Sequence, residues 1–164
     1  MNERYAIAPL ASTDARDSFS CGTEPLDRYF RDFVTQDIKR RIASCYVAKS
    51  IETEAIAGFY TLSASSLPLT ELPGELARKL PRYPLVPVAR LGRLAIDTRF
   101  KGQGLGSALL WDAIARSSRS EVAVYALAVD AKNEAAENFY RHFGFMKLPS
   151  LPGQLLWVIG NSKL

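Results

Sequence analysis

An apolar strand pattern that runs into alternating glycines and then into a helix-forming stretch constrains this chain more than any other feature. The strand pattern is Leu91-Gly-Arg-Leu-Ala-Ile96, the glycine stretch Arg99-Phe-Lys-Gly102-Gln-Gly104-Leu-Gly106, and the helix former Leu105-Gly-Ser-Ala-Leu-Leu110. Alternate glycines remove the Cβ atoms that keep backbone N–H groups away from an anion, and the following helix points its positive end at the same place. The stretch therefore predicts a phosphate-holding loop between a strand and a helix. A dinucleotide loop needs G-x-G-x-x-G with an acid about twenty residues on, and a P-loop needs Gly-Lys-Ser/Thr. Neither pattern is present.

At 164 residues the chain has the length of one domain, and a single unit over residues 1–164 is expected. An apolar fraction of 48% and a charged fraction of 23% exclude disordered and collagen-like classes. No stretch approaches the roughly twenty apolar residues of a membrane helix, and the N-terminus lacks the apolar run of a signal peptide. These features predict a cytoplasmic protein that does not engage a membrane. Cys21 and Cys45 lack metal-ligand spacing and His142 is the only histidine, so no metal site is expected and both thiols read as inert core residues. The net charge of +4 is mild, but Arg78, Lys79, Arg82, Arg90, Arg93, Arg99 and Lys101 fall in one segment whose only acid is Asp97. That segment is a candidate footprint for a polyanion.

Residues 4–10 read as a short strand. Thr23 is a candidate N-cap ahead of a helix of roughly fifteen residues, with Leu26, Tyr29, Phe30, Phe33, Val34 and Ile38 at helical spacing on its buried face. Ile42–Ala48 and Ala55–Ala64 read as an antiparallel hairpin. Leu67–Pro84 reads as loop with a short helix at Gly74–Leu80. Leu85–Ile96 carries the longest strand signal, with Pro84 and Pro87 implying an edge or splayed beginning. Val122–Val129 reads as a central strand, Asn133–Tyr140 as a helix ended by Gly144, and Gln154–Gly160 as a terminal β segment. Trp111 and Trp157 read as amphipathic packing residues, and His142 as a surface residue.

The R-x-x-G-x-G stretch, with its preceding strand and following helix, resembles the acetyl-CoA-binding motif of the GNAT acyltransferase superfamily. The resemblance implies an α/β fold: one domain with a mixed, mostly antiparallel sheet of six to seven strands flanked by about four helices. It places the pyrophosphate of acetyl-CoA on the loop Lys101, Gly102, Gln103, Gly104, Leu105, Gly106 and Ser107. It pairs the backbone of Leu94, Ala95 and Ile96 with the pantetheine amides like an added strand. Arg99 would cap the loop or touch a phosphate. A second block, Asn133-x-x-Ala136-x-x-Phe139-Tyr140 with Gly144-Phe145 after it, is similar to the family's N-x-x-A-x-x-F-Y signature. It implies that Asn133, with Asn138 on the same helix, contacts the cofactor and that Tyr140 lies beside the coenzyme sulfur. A phenol stays protonated at neutral pH and can protonate a departing thiolate, which makes Tyr140 the candidate general acid. On spacing alone Tyr140 also reads as a packing residue on a helix face. No carboxylate among Glu52, Glu54, Glu71, Glu121 and Asp130 stands out as a general base, which favours an acceptor amine of low pKa such as that of an aminoacyl ester.

Two further stretches narrow the class. Phe19-Ser-Cys-Gly-Thr-Glu-Pro-Leu-Asp-Arg-Tyr-Phe30 and Pro87-Val-Ala-Arg-Leu-Gly-Arg-Leu-Ala-Ile-Asp97 resemble motifs of the GNAT toxins of bacterial toxin–antitoxin pairs. That resemblance implies acetyl transfer to the α-amine of aminoacyl-tRNA and arrest of translation. Arg78, Lys79, Arg82, Arg90 and Arg93 would then line a groove for tRNA phosphates through sequence-independent, salt-sensitive contacts. They also read as solubilising or cofactor-facing charges, and Arg93 as a structural residue. The implied partners are a ribbon-helix-helix antitoxin, operator DNA only through that complex, and a second copy in a homodimer. A GNAT enzyme for a small amine or peptide, and a catalytically silent coenzyme-binding module, are the competing readings.

Overall fold

The computed structural model describes residues 4–160. Its strands are β1 (Tyr5–Pro9), β2 (Ser44–Ser50), β3 (Ile56–Pro68), β4 (Leu85–Ile96), β5 (Ala126–Asp130), β6 (Met146–Lys147) and β7 (Gln154–Val158). Helices are α1 (Glu24–Arg28), α2 (Val34–Lys39), α3 (Gly74–Ala77), α4 (Leu105–Ser118) and α5 (Glu134–Phe143). The seven strands form one sheet in the order β1-β2-β3-β4-β5-β7-β6. Pairings β1–β2, β2–β3, β5–β7 and β6–β7 are antiparallel, while β4 and β5 run parallel with α4 as their crossover. The α/β class, the mixed sheet and the helices around it agree with the sequence expectation.

β4 is an interior strand, with β3 and β5 as its neighbours, and not an edge. The splayed beginning is present: its register with β5 starts at Val88, after the two prolines that offer no ladder N–H. That register stops at Leu91, before the strand ends at Ile96. Only Ala126–Asp130 of the expected Val122 strand is regular, and Val122 is 75% exposed. The two-residue β6 carries too little pattern to read from sequence.

Two compact units divide the chain. One takes the residues up to Ser63 together with Gly92–Ala113; the other takes Ala64–Leu91 and the residues from Ile114 onward. In the first, Phe30 and Phe59 stack at 4.2 Å between centroids, Phe19 stands edge-on to both, and Tyr29, Val34, Cys45, Val47 and Ala95 complete the core. The second has its own core of Leu67, Leu72, Val86, Val88, Ala126, Ala128, Leu148 and Leu156. Burying each large apolar side chain contributes roughly 1.5–3 kcal/mol.

The helix expected after Thr23 is interrupted by a π-turn over Tyr29–Phe33. One extra residue in that turn shifts the helical phase. Tyr29, Phe30 and Val34 therefore reach the core, whereas Phe33 is 41% exposed beneath the Arg28 guanidinium. Thr23 sits at the N-cap position without a side-chain cap; its carbonyl accepts from the Leu26 and Asp27 N–H groups. Trp111, expected to pack, is 55% exposed on α4. Cys21 and Cys45 are buried free thiols, and burial pushes the Cys45 thiol up to about 12. Among the described residues no helix is long and apolar enough to cross a membrane.

Candidate active site

The glycine loop belongs to the first unit, where β4 ends at Ile96 and Asp97 caps a 3-10 turn over Thr98–Phe100. The Asp97 carboxylate is buried and accepts four N–H bonds: from the backbone N–H groups of Ser20 and Arg99, and from Nε and an Nη of Arg99. Burial alone raises its pKa, but the Arg99 guanidinium and the two backbone donors outweigh that and hold it below the ordinary carboxylate value. Arg99, expected to cap the loop or meet a phosphate, lies inside the turn from which the loop leaves, its guanidinium paired with the capping Asp97.

Lys101, Gly102, Gln103 and Gly104 are exposed, and both glycines adopt a φ of +79° with no atom within 4 Å of where a Cβ would stand. A left-handed φ at alternate residues is what glycine permits at little strain. The first α4 bond back to the loop runs from Ala108 N–H to the Gly104 carbonyl. The earlier N–H groups, Leu105 to Ser107, have no carbonyl partner inside the helix, and they add to the positive end of a fourteen-residue dipole. An exposed loop with glycine at alternate positions, leading into the N-terminal N–H groups of a helix, fits a pyrophosphate. Two side chains fix the loop from either side: Lys101 Nζ donates to the Cys21 carbonyl at 2.9 Å, and the Tyr5 hydroxyl donates to the Gln103 side chain.

The N-terminal motif turns out to brace this loop. Asp27 is buried; its carboxylate accepts from Cys21 N–H at 2.8 Å and from the Ser20 hydroxyl at 3.3 Å. Ser20 and Cys21 in turn bond Asp97 and Lys101. Sequence reasoning missed the roles of Asp27 and Asp97, although both were visible as acids inside the quoted motifs. Arg93 lies with its guanidinium 3.5 Å from the centre of the Tyr29 ring, and the Tyr29 hydroxyl donates to Asp37 at 2.7 Å. Arg93 is thus held in a packed stack, which matches the structural reading of it.

In the second unit α5 carries the other block. The Asn133 side chain accepts from Ala136 N–H at 2.8 Å, the standard N-cap bond, so part of its expected cofactor-facing polarity is spent on starting the helix. Gly144 ends it at φ +126°, and a Cβ there would stand 2.9 Å from the Trp157 ring. Tyr140 is 6% exposed between Phe139 and Phe145, with ring centroids at 5.4 and 5.6 Å. Burial first, and the Asp130 charge second, push its phenol up to about 12. It therefore holds its proton across the physiological range.

Asp130, read from sequence as an ordinary surface acid, is exposed but organised. It accepts from an Arg90 Nη at 3.2 Å, while Arg90 Nε donates to the Ser65 hydroxyl at 3.3 Å. Arg90 is thus engaged, whereas Arg78, Lys79 and Arg82 are exposed. Asn138 is also exposed, on the face of α5 that carries Arg141 and His142.

The first unit thus holds a strand entering an exposed glycine loop, and the second a buried protonated phenol on the helix after β5. A model of the acetyltransferase (GNAT) family matches residues 10–145. The chain belongs to the GNAT acetyltransferases. Like other members, this acetyltransferase draws its acyl group from acetyl-CoA. It is 34% identical over 160 residues to the tRNA-acetylating toxin of Mycobacterium tuberculosis (strain ATCC 25618 / H37Rv), covering 95% of this chain and 94% of that one. A structure of AtaT complexed with acetyl-methionyl-tRNAfMet superposes with a TM-score of 0.85 at 29% identity, covering 94% of each chain. One of AtaTR bound with AcCoA does so with a TM-score of 0.81 at 29% identity, covering 96% of the acetyltransferase and 95% of that chain.

Proposed function

We propose that this acetyltransferase moves the acetyl group of acetyl-CoA to the α-amine of the amino acid on charged tRNA and thereby stops translation. The observation that carries the reading is the near-full-length likeness to a tRNA-acetylating toxin. Acetyl-CoA supplies the acyl group as a thioester. The backbone N–H groups of Gly102–Ser107 hold its phosphates, and the β4 backbone at Leu94–Ile96, beyond the register with β5, bonds the pantetheine amides. Tyr140 gives its proton to the sulfur as the carbon–sulfur bond breaks and the nitrogen–carbon bond forms; solvent takes the amine proton and restores the phenol. Burial, with the Asp130 charge as the smaller contribution, keeps the phenol protonated. Asn133 sets the start of the helix that presents Tyr140, and Asn138 stands on its exposed face.

Arg78, Lys79 and Arg82 meet tRNA phosphates, while Arg90 and Arg93 shape the surface through Asp130 and Tyr29. The protein acts in the cytoplasm, where charged tRNA is found. A ribbon-helix-helix antitoxin neutralises it and carries it to operator DNA, and the enzyme works as a homodimer. The test is transfer of labelled acetyl from acetyl-CoA to a pool of aminoacyl-tRNAs, with deacylated tRNA and free amino acids as controls. Label on charged tRNA alone supports the reading. Label on free amines instead, or none on charged tRNA, removes it.

A further inference from the structure

Ser20 and Cys21 belong to no helix or strand, yet every backbone polar group of the pair is bonded. The Ser20 N–H donates to Asp97 Oδ2 at 3.1 Å, and its carbonyl accepts from the Thr98 N–H at 2.9 Å. The Cys21 N–H donates to Asp27 Oδ1 at 2.8 Å, and its carbonyl accepts from Lys101 Nζ at 2.9 Å. Asp97, Thr98 and Lys101 form the entry to the glycine loop; Asp27 alone lies elsewhere, in α1. Asp27 differs from the others in a second way. It is buried with no cation paired to it among the described residues, whereas the buried Asp97 has Arg99. A buried carboxylate without an ion pair is costly to keep. Nor does it cap its own helix: Thr23 holds the N-cap position, and the two Asp27 oxygens turn out of α1 to the Cys21 N–H and the Ser20 hydroxyl.

The loop needs such support. Gly102 and Gly104 have no atom within 4 Å of a Cβ position, so packing does not set their conformation. The start of the loop is set instead by Lys101, the residue before Gly102, and Lys101 is held by the Cys21 carbonyl. Gly22 follows at φ +91°, which lets the chain turn from Cys21 into α1 and bring Asp27 onto the Cys21 N–H. We propose that Asp27 is a positioning residue for acetyl-CoA: through Ser20 and Cys21 it fixes Thr98 and Lys101, and so holds the glycine loop in the conformation that receives the pyrophosphate. The proposal rests on the reading that puts the pyrophosphate on this loop and extends it to a buried residue behind the binding surface. Every residue in this chain of bonds belongs to the first unit. Removing the carboxylate leaves the Cys21 N–H buried without an acceptor, so the segment must shift to find one, and Lys101 loses the fixed carbonyl that anchors it. An amide keeps an acceptor oxygen for Cys21 and a polar group for Ser20, which makes asparagine the conservative replacement.

The experiment measures kcat and KM for acetyl-CoA with charged tRNA as acceptor, Kd for acetyl-CoA by calorimetry without acceptor, and hydrogen exchange at the Thr98 amide. It compares wild type with Asp27→Ala, Asp27→Asn, Gly22→Ala, Gly104→Ala and Val34→Ala. Val34 is the stability control, a fully buried residue of the core that contains Cys21 but outside the chain of bonds. Asp27→Ala should raise KM and Kd for acetyl-CoA tenfold or more and leave kcat at saturating coenzyme within about twofold. It should also speed exchange at Thr98, whose N–H is bonded to the Ser20 carbonyl. Asp27→Asn should bring both constants back to within about threefold of wild type, and Val34→Ala should leave them unchanged. Gly22→Ala strains the same turn while meeting only Thr98 Cγ2 at 3.8 Å, and should raise both constants several-fold; it decides the question if Asp27→Ala does not fold. Unchanged coenzyme affinity in Asp27→Ala, or in Gly22→Ala where the former does not fold, overturns the proposal. An equal loss of affinity in Val34→Ala, a loss carried by kcat alone, or unchanged exchange at Thr98 overturns it as well. Gly104→Ala tests the loop assignment separately: if it leaves coenzyme affinity unchanged, that reading fails on its own, and the Thr98 exchange rate still judges whether Asp27 holds the entry to the loop.

Discussion

The glycine loop and the Tyr140 helix solve opposite problems. The loop works by what it lacks: Lys101–Gly104 are exposed, two glycines hold φ values of +79°, and the donors belong to the backbone. Tyr140 works by what surrounds it: a side chain buried between Phe139 and Phe145 whose ionisation is suppressed by its environment. A backbone site is set by local sequence, because φ is a local property. A side-chain site is set by tertiary packing. The first should therefore tolerate changes in its neighbours, and the second should answer to them.

The sharpest way to break that contrast is Tyr140→Phe, which keeps the ring and removes the proton. Turnover should fall by roughly 10²–10⁴-fold, in the range of a lost general acid, with acetyl-CoA affinity unchanged by calorimetry. Unchanged kcat would reduce Tyr140 to a packing residue. The next effect is on stability in alkali. Tyr140 ionises near 10 in the unfolded chain and about 12 in the folded one, so between those values the unfolded chain binds fewer protons. The stabilisation is whole below pH 10 and is lost as pH rises toward 12, at about 1.4 kcal/mol per pH unit. Denaturant titrations should show this slope in wild type and a shallower one in Tyr140→Phe.

Glycine substitutions sharpen the comparison at smaller cost. Gly144→Ala meets both a positive φ and the Trp157 ring at 2.9 Å, so it should lower stability by about 1–3 kcal/mol in thermal melts. Gly104→Ala meets the positive φ with open space around it. It should cost about 1 kcal/mol of stability while raising the KM for acetyl-CoA several-fold, because the strain falls on the binding conformation. The smallest effect belongs to Asp130→Asn. Removing that charge should lower the Tyr140 pKa without returning it to 10, since burial is the larger cause, and ultraviolet titration of the phenolate would measure it.

The same contrast explains how much was legible in the sequence. The hairpin, the β4-to-α4 passage and α5 were readable because periodicity, glycine placement and caps are local signals. So was the alternation of glycines in the loop. The π-turn at Tyr29–Phe33 was not, since 3.6-residue periodicity places Phe33 inside and only the packing of Phe30 against Phe59 shifts it out. Nor was the Arg90–Asp130 pair, which joins residues forty positions apart across the parallel register of β4 and β5. In the site, Tyr140 was legible as a motif, but its burial was a property of the folded core.

The Asp97 carboxylate gives the glycine loop a history as well as a shape. It gathers Ser20 from 77 residues upstream and Arg99 from two residues downstream onto one pair of oxygens. Closing so long a segment carries an entropic penalty that short-range contacts must first offset, so the loop is braced late in folding. A chain emerging during synthesis has the N-terminal half of this clasp long before the other half exists. The glycine loop therefore acquires its support only after more than half of the molecule has been made.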